Sequence, residues 1–195
     1  MGAVTSCSSG NNGAGSSPVS TNTPVPRFAG TVVSPELHRP DLTLPDTAGN
    51  PYRFRDRTRG RITVLFFGYT NCRDICPATM ATLATALRQL EPAVRRLVTV
   101  VFVTEDPARD TPRQLRRWLD QFGTNFVGLI GGNQTTQAVL RTLMLAQTTR
   151  TTGSNDIAHS GVVFLFNRSD TVTVLHTQPA RVADIAADLR ALVTS

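Results

Sequence analysis

Cys72 and Cys76 lie four positions apart in the run Phe66-Phe67-Gly68-Tyr69-Thr70-Asn71-Cys72-Arg73-Asp74-Ile75-Cys76-Pro77, and thiols at that spacing do two kinds of chemistry. As thiolates they attack a disulfide, or they hold a soft metal ion. If the first turn after the loop is helical, both sulfurs fall on one face. An apolar, β-favouring stretch from Ile62 to Phe67 ends at a glycine turn, and Pro77 stands where a helix opens. The positive end of a helix stabilises thiolate. Free cysteine often serves only as a small buried hydrophobe. This pair, however, sits in a polar, turn-forming context, and the remaining cysteine, Cys7, is far away. The two thiols are therefore read as a functional pair, redox or metal.

The chain around them fits one domain with an appendage. Residues 8–26 are Ser, Asn, Gly, Thr and Pro with two valines and one alanine, too little apolar surface to pack. Residues 1–26 are thus expected to form a flexible tether, and residues 27–195 are ample for one well-buried core. The net charge is +6 and all 20 basic residues are arginine. The arginines are scattered, and the densest run, Arg53, Arg55, Arg57, Arg59 and Arg61, has a single interleaved aromatic residue, Phe54, rather than the repeated aromatics of a single-strand-binding surface. It reads as a solvated edge, with no nucleic-acid partner expected.

Strand and helix patterns alternate along the domain. Asp41 to Leu44 and Tyr52 to Phe54 read as a short hairpin across Asp46-Thr47-Ala48-Gly49-Asn50-Pro51. Arg61 to Phe67 is a buried strand. Pro77 to Leu90 has helical periodicity, with Pro92 marking its end. Leu97 to Val103 is a strand covered on both faces. A helix runs from Pro112 to Phe122, capped by Thr111. Phe126 to Ile130 is a strand and Gln134 to Leu145 a helix; Val162 to Phe166 pairs with Thr171 to His176, and Arg181 to Leu192 closes as a helix. The order is an α/β plan: a thioredoxin-like fold with an N-terminal β-hairpin and an inserted βα unit, its central mixed sheet flanked by helices. The thiols fall at the end of the first core strand, where that plan places its reactive site. The spacing has one residue more than the thioredoxin C-x-x-C, and Ser154 to Ser160 holds no proline beside the site.

Three motifs then carry a specific resemblance. Phe67 through Pro77 resembles the F-G-Y-T-x-C-x-D-x-C-P signature of the SCO/SenC family of copper-handling proteins. Val101 through Pro112 is similar to that family's V-x-D-P-x-R-D-T-P stretch, and His159-Ser160 with Phe164-Leu165 to its H-S-x-x-x-Y-L block. The resemblance covers residues 28–195, with the motifs in order. Arg73 stands where many members have proline, and Ala158 where many have aspartate. The resemblance implies a copper site made by Cys72, Cys76 and His159, and delivery of copper to the dinuclear copper site of a respiratory terminal oxidase subunit. The donor chemistry agrees: two thiolates select Cu(I), and an imidazole can also hold Cu(II). Three ligands leave the ion under-coordinated, which suits handing it on; a structural zinc site would need a closed fourth ligand. No turnover is required for that role. The rival reading is a thiol-disulfide oxidoreductase that uses Cys72 and Cys76 to reduce the partner's cysteines and draws on a thiol reductant. A peroxidase is weaker, since no Pro-x-x-x-Thr-x-x-Cys pattern precedes the thiols. Asp74 is a candidate helix cap, and Glu105 and Asp106 are candidates to tune His159, with capping and solvation as the plainer roles. His38 and His176 read as structural or solvated.

Val4-Thr5-Ser6-Cys7 resembles a bacterial lipobox, although only six residues precede Cys7, too few for a secretory signal. An incidental cysteine in a tail is the alternative. No run approaches the roughly 18 apolar residues of a membrane span, so attachment to the extracytoplasmic face of a bacterial membrane would be by lipid at Cys7. A coil of about 20 residues would then hold a monomeric domain about 25 Å from its anchor.

Overall fold

The alternating side chains of one fully buried strand, β4 (Ile62–Gly68), divide the interior into two. Ile62, Val64 and Phe66 meet Met80, Leu83, Leu115, Leu119, Ile185 and Leu189 on one face of the sheet. Leu65 and Phe67 meet Leu42, Leu44, Phe54, Leu140 and Leu143 on the other. A strand with period-two side chains, covered on both sides, must read as a continuous apolar run.

The computed structural model describes residues 1–2, 27–123, 125–132, 134–146, 149–150, 157–158 and 160–194. In chain order the remaining elements are β1 (Thr31–His38), β2 (Thr43–Pro45), β3 (Pro51–Arg53), α1 (Phe54–Thr58), α2 (Ile75–Arg88), α3 (Pro92–Leu97), β5 (Val98–Thr104), α4 (Pro112–Leu119), β6 (Val127–Ile130), α5 (Gln134–Thr142), β7 (Thr149–Arg150), β8 (Ile157–Ala158), β9 (Val163–Phe166), β10 (Thr171–His176) and α6 (Val182–Ala191). Six strands form one sheet in the order β1-β10-β9-β4-β5-β6. β4, β5 and β6 are parallel, joined by helical crossovers, while β9, β10 and β1 add antiparallel. The expected α/β thioredoxin-like plan, mixed sheet and flanking helices are present. The early hairpin forms as β2 and β3, pairing Leu44 with Tyr52.

Some elements differ from the sequence reading. Edge strand β1 was not foreseen, because most of its side chains are exposed and Pro35 interrupts it. Its pairing with β10 shifts register between Val32 and Leu37, which is where an edge strand tolerates a residue with no N–H to donate. Helix α2 begins at Ile75, two residues before Pro77, so Cys76 lies inside its first turn. Pro92 not only follows α2 but opens α3, the first-turn position that suits its fixed φ. Arg39 is wholly buried. It donates to Thr58 Oγ1 (2.6 Å), Thr63 Oγ1 (2.7 Å) and Asn167 O (2.8 Å), and pairs with Asp170 at 2.9 Å. The arginine run is less solvated than expected. Arg55 donates to Arg39 O at 2.7 Å, and Arg61 to Thr99 Oγ1 at 2.5 Å and Arg96 O at 2.7 Å.

A buried carboxylate stitches the start of β1 to α6. Asp188 accepts from the N–H groups of Ala29 (2.7 Å) and Gly30 (2.9 Å) and lies 2.9 Å from His176 Nε2. His176 is thus structural, while His38 is exposed at the end of β1. Burial opposes the charged form of Asp188, but the bonds from His176, Ala29 and Gly30 outweigh it and hold the carboxyl below the ordinary carboxylate range. A lowered folded value stabilises the fold above the unfolded value near about 4, and that stability is lost as pH falls through the folded value. Asp188→Ala should therefore cost about 3 kcal/mol at neutral pH. The cost should shrink steadily below about pH 4, read by denaturant unfolding of parent and variant across pH. A cost independent of pH would mean that the carboxylate charge plays no part.

Candidate metal centre

The thiol loop is set by what holds its two ends. β4 stops at Gly68, and a Cβ there would lie 2.7 Å from Cys76 Sγ and 3.2 Å from the Phe102 ring. Only glycine lets the buried sulfur nest against the strand end. Cys72 N–H then donates to Tyr69 O at 3.3 Å, forming a turn, and α2 starts three residues later. Asp74 occupies the N-cap position, but its side chain makes no capping bond and it is exposed. The weighed capping role is not what the carboxylate does.

The two sulfurs are unequal. Cys76 is fully buried, whereas Cys72 is half-buried, and both are free thiols. Cys72 Sγ accepts a hydrogen bond from Cys76 N–H at 3.4 Å, so the first turn of the helix points a backbone donor at that sulfur. The hydrogen bond with Cys72 and burial push the Cys76 thiol up, reinforced by the charge of Glu105, while the backbone at Tyr69 acts in the opposite sense. The result is a pair with an accessible sulfur at Cys72, backed by a protonated, buried donor at Cys76. Thiolate is the form that reacts or ligates, so Cys72 is the atom a partner would meet first, and a metal ion bound by both sulfurs would have to displace the Cys76 proton.

A buried acidic network braces this loop, and it was not foreseen. Asp110 is wholly buried. It accepts from Thr70 N–H (2.9 Å), Thr70 Oγ1 (2.5 Å) and Thr104 Oγ1 (2.5 Å). Asp106, also buried, receives the Arg109 guanidinium, and its N–H donates to Thr104 Oγ1 at 3.0 Å. Glu105 N–H donates to Gly68 O at 2.8 Å. Arg109 in turn stands over the Tyr69 ring. The turn after β5 is therefore fastened to the start of the thiol loop, and Thr111, next in sequence, caps α4 by accepting from Gln114 N–H at 3.3 Å. The signal available in the sequence was an acid-rich turn directly after an apolar strand; its partner Thr70 lies 40 positions earlier.

His159 lies outside the described residues, as do Cys7 and residues 8–26, so the expected tether and the suggested roles of Glu105 and Asp106 toward that histidine are not placed. The chain on either side of His159 is partly placed. Ala158 pairs with Thr149, and Gly161 comes against the thiol loop: a Cβ on it would lie 3.4 Å from Ile75 Cγ2. Among the described residues no group of three or more His, Cys, Asp and Glu is arranged to hold a metal, and no helix is long and apolar enough to cross a membrane.

Known proteins share this architecture. The solution structure of apo Sco1 from Thermus thermophilus is similar over 85% of this chain and 96% of its own, with 28% identity and a TM-score of 0.74. ScoI of Bradyrhizobium japonicum, solved with copper bound, matches 79% of this chain and 98% of its own, at 26% identity and a TM-score of 0.67. A candidate copper-binding protein of Stutzerimonas stutzeri is 37% identical over 124 residues, 63% of this chain. The chain spans 60% of the length of that relative. The SCO1/SenC family model matches residues 33–194, all three sequence motifs included, and this chain belongs to the SCO1/SenC family.

Proposed function

We propose that the domain carries copper between Cys72, Cys76 and His159 and passes it, outside the cytoplasm, to the dinuclear copper site of a respiratory terminal oxidase. The observation that carries this reading is the return of the chain two residues after His159 onto Ile75, the side chain between the two thiols. Two sulfurs and an imidazole would form a donor set for both oxidation states of copper. Homologous proteins solved with copper bound support the choice of ion. The copper is cargo: Cys72, half-buried, is the ligand that an incoming donor and a receiver each reach first, while Cys76 gives up its proton on loading and regains it on release. On this reading residues 1–26 are the tether, lipid-anchored at Cys7, and residues 27–195 the copper-binding domain.

The inequality of the two sulfurs also favours a second reading, reduction of the receiver's cysteines. Cys72 thiolate attacks the partner disulfide, forming a mixed disulfide and releasing one partner thiolate. Cys76, losing its proton, then attacks Cys72 and releases the other. The partner gains two electrons, and the Cys72–Cys76 disulfide left behind needs a thiol reductant to reset.

His159→Ala separates the two. Cu(II), which prefers nitrogen donors, should be lost; Cu(I) should bind the two thiolates more weakly, and thiol reduction should persist. Anaerobic titration with each ion, beside a dithiol-transfer assay, measures all three. Equal Cu(II) binding by variant and parent removes His159 from the site and leaves the reductase reading the better one.

A further inference from the structure

We propose that a cavity at the opposite end of α2 from the thiols binds a single-chain anionic amphiphile, an alkyl carboxylate of medium length. The cavity measures about 420 Å³, inside the range of about 300–1,000 Å³ usual for ligand pockets. Leu87 of α2, Val98 and Val100 of β5, and Phe122 and Phe126 of the connection from α4 to β6 give it an apolar floor. Asn125 and two exposed guanidinium groups also line it, Arg88 from the last turn of α2 and Arg95 from α3. Among the described residues neither has a carboxylate partner. Arg88 donates to Thr85 Oγ1 at 2.8 Å, and Glu91, between the two arginines in sequence, is engaged by Arg190 at 3.4 Å.

Charge complementarity selects the occupant. Two positive groups beside a floor of aliphatic and aromatic side chains match an anionic head on a hydrocarbon body. An inorganic anion would leave the floor unused, and a neutral chain would leave the guanidinium groups unused. Arg88 lies twelve residues along α2 from Cys76, about 18 Å at the helical rise, so occupancy does not depend on the copper reading.

The chain's one tryptophan supplies a reporter, since the Trp118 ring centroid lies 5.0 Å from that of Phe122. The full chain is titrated with sodium dodecanoate below its micellar concentration, followed by Trp118 fluorescence and calorimetry. Saturable binding of one dodecanoate per chain is expected, with dodecanol at least about tenfold weaker. Arg88→Ala and Arg95→Ala together should weaken dodecanoate by about tenfold and leave Cu(I) binding unchanged. Both residues are exposed, so the fold should survive their loss. Removing Arg113 and Arg117, exposed on α4, should leave dodecanoate binding as it was. The proposal is overturned by absence of saturable binding, by equal affinity for dodecanol, or by equal losses from the two arginine pairs. It also falls if dodecanoate is refused while Arg88 and Arg95 drive binding to phosphatidylglycerol vesicles over phosphatidylcholine ones, for the arginines would then serve a bilayer surface.

Discussion

Replacing Cys76 with serine is expected to lower the affinity of the domain for Cu(I) by more than about a hundredfold, because residues that merely orient a ligand already cost about 10–100-fold when changed. A hydroxyl is a hard donor that stays protonated at neutral pH, so Cys72 would be left as the sole soft ligand of the pair. Cys76 is buried and shares a hydrogen bond with Cys72, and both push its thiol up. Loading the parent protein must therefore release a proton from Cys76, and apparent Cu(I) affinity should climb as pH rises from acid towards alkaline. Competition against a Cu(I) chelator across pH, with parent, Cys72→Ser and Cys76→Ser in parallel, reads both effects. Alkylation distinguishes the sulfurs. Cys76→Ser should keep a readily modified Cys72, whereas Cys72→Ser should leave a thiol that reacts at least about tenfold more slowly, since reactivity follows thiolate character and access. Cu(I) affinity in Cys76→Ser within threefold of the parent would move the metal away from this loop.

Asp110→Ala should be the most damaging change away from the sulfurs. The carboxylate takes three hydrogen bonds from Thr70 and Thr104 with no exposure of its own. Alanine removes the acceptor of a backbone N–H and two hydroxyls, one of them on the buried Thr104, a cost of about 3–5 kcal/mol. Part of that cost falls on function: Thr70 precedes Cys72 by two residues, and a loosened loop no longer presents two sulfurs at one separation. Asp110→Asn, with one oxygen and one amide, keeps the volume but offers an N–H where one Thr donor needs an acceptor, and should fall between parent and alanine. Urea unfolding measures the stability. Amide exchange at Thr70, compared with an amide in the middle of β4, measures the local loosening. If Asp110→Ala stays within about 1 kcal/mol of the parent and Thr70 keeps its protection, the network does not hold the loop.

Three features of the chain were legible without coordinates because each is local. The apolar run Ile62 to Phe67 can only be a strand covered on both sides. Thr111-Pro112 has the chemistry of a helix start, and its hydroxyl does accept from Gln114. The thiols, four apart after a glycine, announce a reactive loop. Beside these stands the match of three motifs to one family, which the family model over residues 33–194 bears out.

Tertiary structure decided what depends on distance along the chain. β1 is too exposed and too interrupted to show a pattern; it is a strand because β10 offers it an edge. Identical thiols four residues apart carry nothing in their spacing to say that Cys76 would be sealed against Gly68 and Phe102 while Cys72 stayed half-open. That difference arises from where β4 ends beneath α2. Asp110 reads as one acid among several in a polar turn, and becomes the brace of the thiol loop only because parallel pairing of β4 with β5 sets Gly68 beside Thr104. Periodicity and motif spacing record each residue's local conformation; burial and hydrogen-bond partners belong to pairs of segments, and those exist only once the sheet has formed.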